Sequence, residues 1–322
     1  MPLHTPVRVG HGVSIGHHGE LFQGQTEDHG GERRRCLVSL PCNRFISRAR
    51  FSPSEGDRIE VSPGKKKAER AFRLTLEHFN AHNIGGKLTL QSNIPERKGY
   101  GSSTADCVAA VLAAAASIGR PLSDETVARL VVHAEGASDT VMFHRAVLFA
   151  QREGTVIEDY LEPFPRFDAL GMDCDENGFV DTMSFPPASY TRREIETFQT
   201  LICSLRRAIR TRDLSALGAI ATASAAINER FLPKPMFSEI RRLANCCGAL
   251  GVAVAHSGTV LSILLNPSDP QLERKIGLLC VELSRLRINR TIRFATDRSE
   301  CIGRPTWRDT HSRLSSTFTD PI

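Results

Sequence analysis

The sequence has little of what a nucleic-acid or membrane protein displays. Among 322 residues there is one Trp and there are three Tyr, and no stretch interleaves basic and aromatic side chains, so a nucleic-acid surface is not supported. No apolar run reaches the roughly 18 residues of a membrane-spanning helix. The first residues, "MPLHTPVRVGHGV", lack the apolar core of a signal peptide, and a cytoplasmic location is expected. Charge of one sign is also scarce: 41 Lys and Arg against 36 Asp and Glu leave +5. The basic runs at Arg33–Arg35 and Lys65–Lys67 are short. They read as solvated loops, with a field that favours an anionic ligand as the alternative. Nine cysteines are scattered without a C-x-x-C pair, which suits reduced, buried thiols rather than a disulfide framework or a cysteine metal site.

Several chemistries are missing as motifs. There is no H-E-x-x-H for zinc hydrolysis, and the "GYGSSTA" loop does not match the G-x-S-x-G of a serine hydrolase. Neither G-x-x-x-x-G-K-[ST] nor G-x-G-x-x-G occurs, and no internal repeat is found. The composition, 41% hydrophobic and 24% charged, is that of a globular protein large enough for one large domain or two.

What is present is a Gly-Ser loop opening an alanine-rich helix: "NIPERKGYGSSTADCVAAVLAAAASIG". Gly99 and Gly101 permit close approach of a backbone to an anion, and a helix N-terminus offers free N–H groups and a positive dipole end. Ser102 and Ser103 can bond phosphate oxygens or a metal ion. A tight turn with a serine cap is the competing reading of the same residues.

Around this loop the first third reads as strands ("VRVGHGVSI", "CLVSLP", "RFISRARF", "KLTLQSNI"). Helices follow: one from Ser102 or Ser103 to about Ile118, one capped by Ser123 and ending near Gly136, and a third from Ser138 through "SDTVMFHRAVLFAQREG". The prolines of "EPFPRF" (162–167) suggest a boundary. Beyond it come a strand-like "GFVDTMSF", helices over 192–210, 214–229 and 237–247, strands "GVAVA" and "TVLSILL" around the turn "HSG", a helix over 270–286 and a strand "TIRFAT". Without regular βαβ alternation, this is an α+β pattern. The tail after Cys301 is polar and is expected to be poorly ordered.

Three segments in order resemble the GHMP kinases (galactokinase, homoserine kinase, mevalonate kinase, phosphomevalonate kinase). "SIGHHGELFQG" (14–24) is similar to the first motif, near the acceptor site. "PERKGYGSSTA" (95–105) is similar to the second. "GVAVAHSGTVLSILL" (251–265) is similar to the third, a loop that closes over the active site. A finer resemblance, carried by "GEL-x-QG" (19–24), "SSTAD" (102–106) and "SDTVMFHR" (138–145), is to the L-threonine kinases of cobalamin biosynthesis. One departure is that the third motif reads His256-Ser257-Gly258, with less glycine than in mevalonate kinases.

The resemblance implies the two-domain GHMP kinase fold, with a ribosomal protein S5 domain 2-like half over residues 1–163 and a ferredoxin-like half over 164–322. It implies ATP and Mg²⁺ as cofactors, a small hydroxylated acceptor, no nucleic acid or membrane partner, and room for a homodimer. L-threonine is the expected acceptor. Homoserine, another hydroxy acid or a hydroxy-phosphonate is the alternative, and a silent nucleotide-binding member is the other class. The ATP loop would comprise Pro95, Lys98, Gly99, Tyr100, Gly101, Ser102, Ser103 and Thr104. Ser103 and Glu135 would hold the metal. Asp139 would act as base or orient the hydroxyl. His18, Glu20, Gln23, Ser257 and Gly258 would meet the acceptor or phosphate. Locally, Asp139 also reads as a first-turn helix acid and Glu135 as a solvated helix-end acid.

Overall fold

The computed structural model describes residues 7–28, 30–175 and 188–297. The expected strand at 178–185 and the tail after Cys301 lie outside these. Ten strands form one sheet in the order β10-β7-β9-β8-β1-β2-β4-β3, and β6 pairs with β5, which pairs with β2. The first half contributes β1 (Gly10–Glu27), β2 (Arg33–Ser54), β3 (Ile59–Val61), β4 (Gly85–Ser92), β5 (Arg145–Ala150) and β6 (Thr155–Pro163), with helices α1 (Lys66–His78), α2 (Ser102–Ser117) and α3 (Asp124–Glu135). The second contributes β7 (Asp168–Asp173), β8 (Gly251–Val254), β9 (Val260–Leu265) and β10 (Thr291–Ala295), with α4 (Arg192–Thr211), α5 (Leu214–Asn228), α6 (Phe237–Cys246) and α7 (Leu272–Arg285). Among the described residues the ladder crosses from one half to the other through a single backbone pair, Glu20 with Val254. Among the described residues no helix is long and apolar enough to cross a membrane.

β1 and β2 are one long antiparallel pair, from Gly10 opposite Phe51 to Glu27 opposite Arg33. Side chains alternate along a strand, so Gly10 and Gly12 present the same face, and α2 lies on it. A Cβ at Gly12 would sit 2.0 Å from the Ala109 carbonyl oxygen, and one at Gly10 would sit 2.1 Å from that of Ala113. The alanine run of α2 and the glycines of β1 therefore serve one close contact. Around it Phe51, Phe72, Val108, Val131 and Phe149 form a buried core. A second core, with Phe22, Phe167, Phe198 and Leu205, lies under α4 and α5. A third, with Ile240, Val252, Ile263 and Leu279, lies under α6 and α7.

Three local expectations need correction. The segment from Ser138 is not a helix: Thr140–His144 turns and Arg145–Ala150 is strand β5. Its residues Ala146–Ala150 are all buried, and a short apolar run with no polar face fits a strand covered on both sides as well as a helix. The Lys65–Lys67 run is not a loop but the start of α1. That helix buries Ala68, Ala71, Phe72, Thr75 and Leu76, the spacing of an amphipathic helix. Pro163 ends β6 and Pro165 lies between it and β7, two further strands that pattern reading passed over.

The β1–α2 contact makes a sharp stability prediction. Gly12→Val should destabilise the chain by at least about 3 kcal/mol, because backbone must move to admit it. Gly277→Ala should instead add up to about 1 kcal/mol, since nothing lies within 4 Å of that position in α7. Urea unfolding of the two variants checks both signs.

Candidate functional site

Besides the start of α1 (64–68), four backbone segments converge on one open cavity of about 560 Å³. They are the loop before α2, the end of α3 with its following turn, the β8–β9 loop, and an irregular stretch of β1. A cavity of this size accommodates a nucleotide and a small co-substrate.

The loop reaches α2 through Gly101, whose φ of +70° is left-handed. A Cβ there would lie 2.4 Å from the His17 ring, so only glycine lets this turn sit against β1. The N-cap of α2 is Gly101 rather than a serine, and no side chain caps the helix. The first-turn N–H groups are thus left facing the cavity, as an anion site requires. The Ser103 and Thr104 hydroxyls turn to Glu135. Ser103 Oγ donates to Glu135 Oε1, and Thr104 Oγ1 donates to Glu135 Oε2 at 2.9 Å.

Glu135 is the last residue of α3, which Ser123 caps at its start and Gly136 ends in a left-handed turn. Burial pushes its carboxyl up to about 7, against the Ser103 and Thr104 hydroxyls and Lys67, whose Nζ is 3.7 Å away. A buried acid so placed lacks positive charge. Beyond Gly136 the chain is pinned by the Ser138 N–H to the Gln151 carbonyl at 2.9 Å and by Ser39 N–H to Thr140 Oγ1 at 3.1 Å. Between these two anchors stands Asp139, 4% exposed.

Asp139 belongs to a buried ionic cluster. His17 Nε2 lies 3.1 Å from Asp139 Oδ2, and His256 Nδ1 lies 2.8 Å from Glu20 Oε1 and 3.6 Å from Asp139 Oδ1. Burial alone would push the His17 imidazole down, but the carboxylates of Asp139 and Glu20 reverse that and raise it from 6.5 to about 9. Burial would raise Asp139, yet the His17 charge, with help from His256, holds it well below the usual carboxylate range. At neutral pH the pair is imidazolium and carboxylate.

The β8–β9 loop is stitched to the phosphate-side loop. The Thr259 N–H donates to the Lys98 carbonyl at 3.1 Å. A Cβ at Gly99 would lie 2.1 Å from the Ser257 carbonyl oxygen, and one at Gly258 2.1 Å from that of Lys98. Behind the loop, Lys234 is 4% exposed and donates to the Gly258 carbonyl at 2.7 Å. Burial lowers its ammonium to about 8.

Of the residues singled out in the sequence, Gly99, Gly101, Ser102, Ser103, Thr104, Glu135, Asp139, Ser257 and Gly258 all line the cavity. Glu20 stands just behind it, bonded to His256. Others do not line it. Lys98 turns its Nζ to Asp173 at 3.0 Å and to the Asp175 carbonyl at 2.9 Å. Tyr100 packs edge-on to His18 and Phe45. Pro95 is outside the wall, and Gln23 donates to the Val254 carbonyl at 3.3 Å. His18 is a correction: it is fully buried beside Ser262, 2.8 Å away, and stacked on Phe294, and burial beside the charged His17 lowers it to about 3. The cavity histidine is its neighbour His17. Successive strand residues face opposite ways, so a one-residue choice decides the matter. His17, His256, Lys65, Lys67 and Arg97 are cavity residues that sequence reasoning did not select. The first motif contains His17, the second Arg97, the third His256, and the basic run the two lysines.

Comparison with known proteins agrees with this geometry. The family model for the GHMP kinases N terminal domain matches residues 66–146, and that for the GHMP kinases C terminal region matches 205–276. An L-threonine kinase of Salmonella typhimurium is 31% identical over 269 residues, covering 81% of this chain and 84% of that protein. An L-threonine kinase of Citrobacter freundii is 32% identical over 259 residues, covering 77% and 83%. The crystal structure of a homoserine kinase from Cytophaga hutchinsonii superimposes with a TM-score of 0.64 at 15% identity, over 88% of this chain and 94% of that one. The chain belongs to the GHMP kinase family and is an ATP-dependent phosphotransferase with an alcohol group as acceptor.

The His17–Asp139 pair has a measurable stability signature. A histidine raised from 6.5 to about 9 contributes stability in full below pH 6.5 and loses it as pH climbs through 9. The stability advantage of the wild type over His17→Gln should therefore shrink between pH 6.5 and 9.5, by on the order of 2 kcal/mol. Urea midpoints across that range test this, and an unchanged difference would mean the pair is not ionised.

Proposed function

We propose that this kinase transfers the γ-phosphoryl group of ATP to the hydroxyl of L-threonine, giving O-phospho-L-threonine and ADP. One observation carries the reading. Beside the Ser103–Glu135 pair, the carboxylates of Glu20 and Asp139 each keep one buried oxygen, Oε2 and Oδ1, without a hydrogen-bond partner. Buried acceptors call for donors, and an amino acid that carries both an ammonium and a hydroxyl supplies them. The named relatives point the same way.

The chain's own groups divide the work. The α2 N-terminus with Gly99, Gly101 and Ser102 cradles the phosphates, and Lys65, Lys67 and Arg97 supply positive field at the rim. Ser103 and Glu135 would hold Mg²⁺. Their oxygens are the hard donors this ion takes, and the buried Glu135 carboxyl, pushed to about 7, is short of positive charge. When bound, the ion neutralises charge on the transferring phosphates. Asp139 accepts a hydrogen bond from the acceptor hydroxyl and aims its oxygen at the γ-phosphorus. The new O–P bond forms as the bond to ADP breaks, and the hydroxyl proton passes to Asp139 or to a phosphate oxygen. A carboxylate held well below its usual range is a weak base, so orientation is its larger contribution. That suffices for a loose transition state. The site lies where a first half, residues 1–163, meets a second, 164–322, which brings His256–Gly258.

ADP release from Mg·ATP across L-threonine, L-serine, L-homoserine, mevalonate and simple sugars tests the acceptor. L-threonine is expected to lead. Homoserine places its hydroxyl one methylene further out, and a lead for it would move the reading to that acceptor. Asp139→Asn should lower turnover by about 10²–10⁴ with ATP binding nearly intact, and normal turnover would remove Asp139 from the reaction. Ser103→Ala should raise the Mg²⁺ concentration needed for half-maximal rate, and an unchanged requirement would reassign the metal ligand.

A further inference from the structure

The cluster at the acceptor end of the cavity has more ligand chemistry than phosphoryl transfer uses. Two imidazoles, His17 and His256, face two carboxylates, Glu20 and Asp139. Ligand atoms of His17, Glu20 and Asp139 lie within 4.8 Å of one another, and all three residues are buried. The spacings are 3.1 Å from His17 Nε2 to Asp139 Oδ2, and 2.8 and 3.6 Å from His256 Nδ1 to Glu20 Oε1 and Asp139 Oδ1. Tetrahedral Zn²⁺ with ligands at about 2.0–2.1 Å places neighbouring ligand atoms roughly 3.3 Å apart. The cluster is already near that size. The unpartnered Glu20 Oε2 and Asp139 Oδ1 are a second sign that a cationic ligand is accommodated here.

We infer that His17, Glu20, Asp139 and His256 form a binding site for one zinc-class divalent cation, distinct from Ser103–Glu135, and that filling it shuts the acceptor out. Mixed imidazole and carboxylate donors suit Zn²⁺ or Co²⁺, with His17 releasing its ring proton to solvent as the ion binds, whereas Mg²⁺ takes oxygen ligands and keeps its waters. His17, Asp139 and His256 line the cavity, so an ion reaches them from the cleft. The four groups that would grip the ion include the carboxylates assigned above to the acceptor, so cation and acceptor compete for the same atoms. This inference goes beyond the kinase reading, and its first test uses neither ATP nor acceptor.

The test is titration of the metal-stripped full chain with ZnCl₂ by calorimetry, together with the visible spectrum of its Co²⁺ form. One ion per chain is expected, with tetrahedral Co²⁺ bands in the visible. No thiolate charge-transfer band should appear, which separates this site from the exposed Cys203 and Cys246. His256→Ala should weaken binding at least about tenfold, and Ser103→Ala should leave it unchanged. If His256→Ala does not fold, Glu20→Gln carries the same expectation. In turnover, Zn²⁺ should compete with the acceptor and not with Mg·ATP. Absence of stoichiometric binding, a thiolate band, or affinity indifferent to both His256→Ala and Glu20→Gln would overturn the inference. A protein that binds Zn²⁺ as described yet phosphorylates no acceptor would leave it standing while the L-threonine reading fails.

Discussion

The site depends on how closely β1 approaches α2. Gly10 and Gly12 leave no side chain between the strand and the helix, and Ala109 and Ala113 give their carbonyls as the surface. The same face continues to Gly16, where a Cβ would lie 2.8 Å from the Tyr100 carbonyl oxygen, and the His17 N–H donates to that oxygen at 3.1 Å. So the strand that carries His17 and Glu20 is fixed against the loop that opens α2. Were β1 even one side chain further away, the Gly101 turn would lose the His17 ring it rests on. The packing of small residues here serves placement, not apolar area, since glycine and alanine bury little.

Charge is the second constraint. Four ionisable side chains, two imidazoles and two carboxylates, stand together, and three of them are buried. Such burial is costly unless the charges pair. His17 and Asp139 pair directly, and the result is a carboxylate kept anionic through the physiological range. Glu135, a short distance along the chain, has the opposite fate: it is buried with two hydroxyls and one exposed lysine at 3.7 Å, and burial pushes it up. Two carboxyls separated by three residues are thus set for different tasks by their surroundings alone. In the proposed reaction the first orients a hydroxyl and the second takes the cation.

Much of this was legible in the sequence because the relevant signals are local. The Gly-Ser loop, the Ser123 cap, the Gly136 stop and the three motifs in order pointed to the α2 N-terminus, Ser103, Glu135 and Asp139. What escaped was non-local. His17 and His18 are indistinguishable in sequence. Register shifts in the β1–β2 pairing between Ile15 and Phe22 decide which of them faces the cavity. Lys98 reads as a phosphate ligand, but Asp173 from the other half of the chain claims it. The lysines at 65–67 read as loop because their helix shows its apolar stripe only after Lys67. β5 reads as helix because a run buried by neighbours on every side has no periodicity to display.

These observations also explain why the site sits where it does. Among the described residues the sheet passes from one half to the other through Glu20 and Val254 alone, a weak seam for a ladder of ten strands. The seam is reinforced beside the cavity. Thr259 bonds the Lys98 carbonyl and, through its hydroxyl, Asp173, while Lys98 bonds Asp173 and Lys234 holds Gly258 from behind. Thr259 joins the β8–β9 loop to the loop before α2, Asp173 at the end of β7 ties to both, and Lys234 braces the β8–β9 loop. The elements that would grip the phosphates and the elements that fasten the two halves are therefore the same few residues. A change in how the halves meet alters the cradle directly, with no relay through the cores needed. The glycines at 99 and 258, each within 2.1 Å of the opposite loop's carbonyl if given a Cβ, are what allow that fastening to be made by backbone.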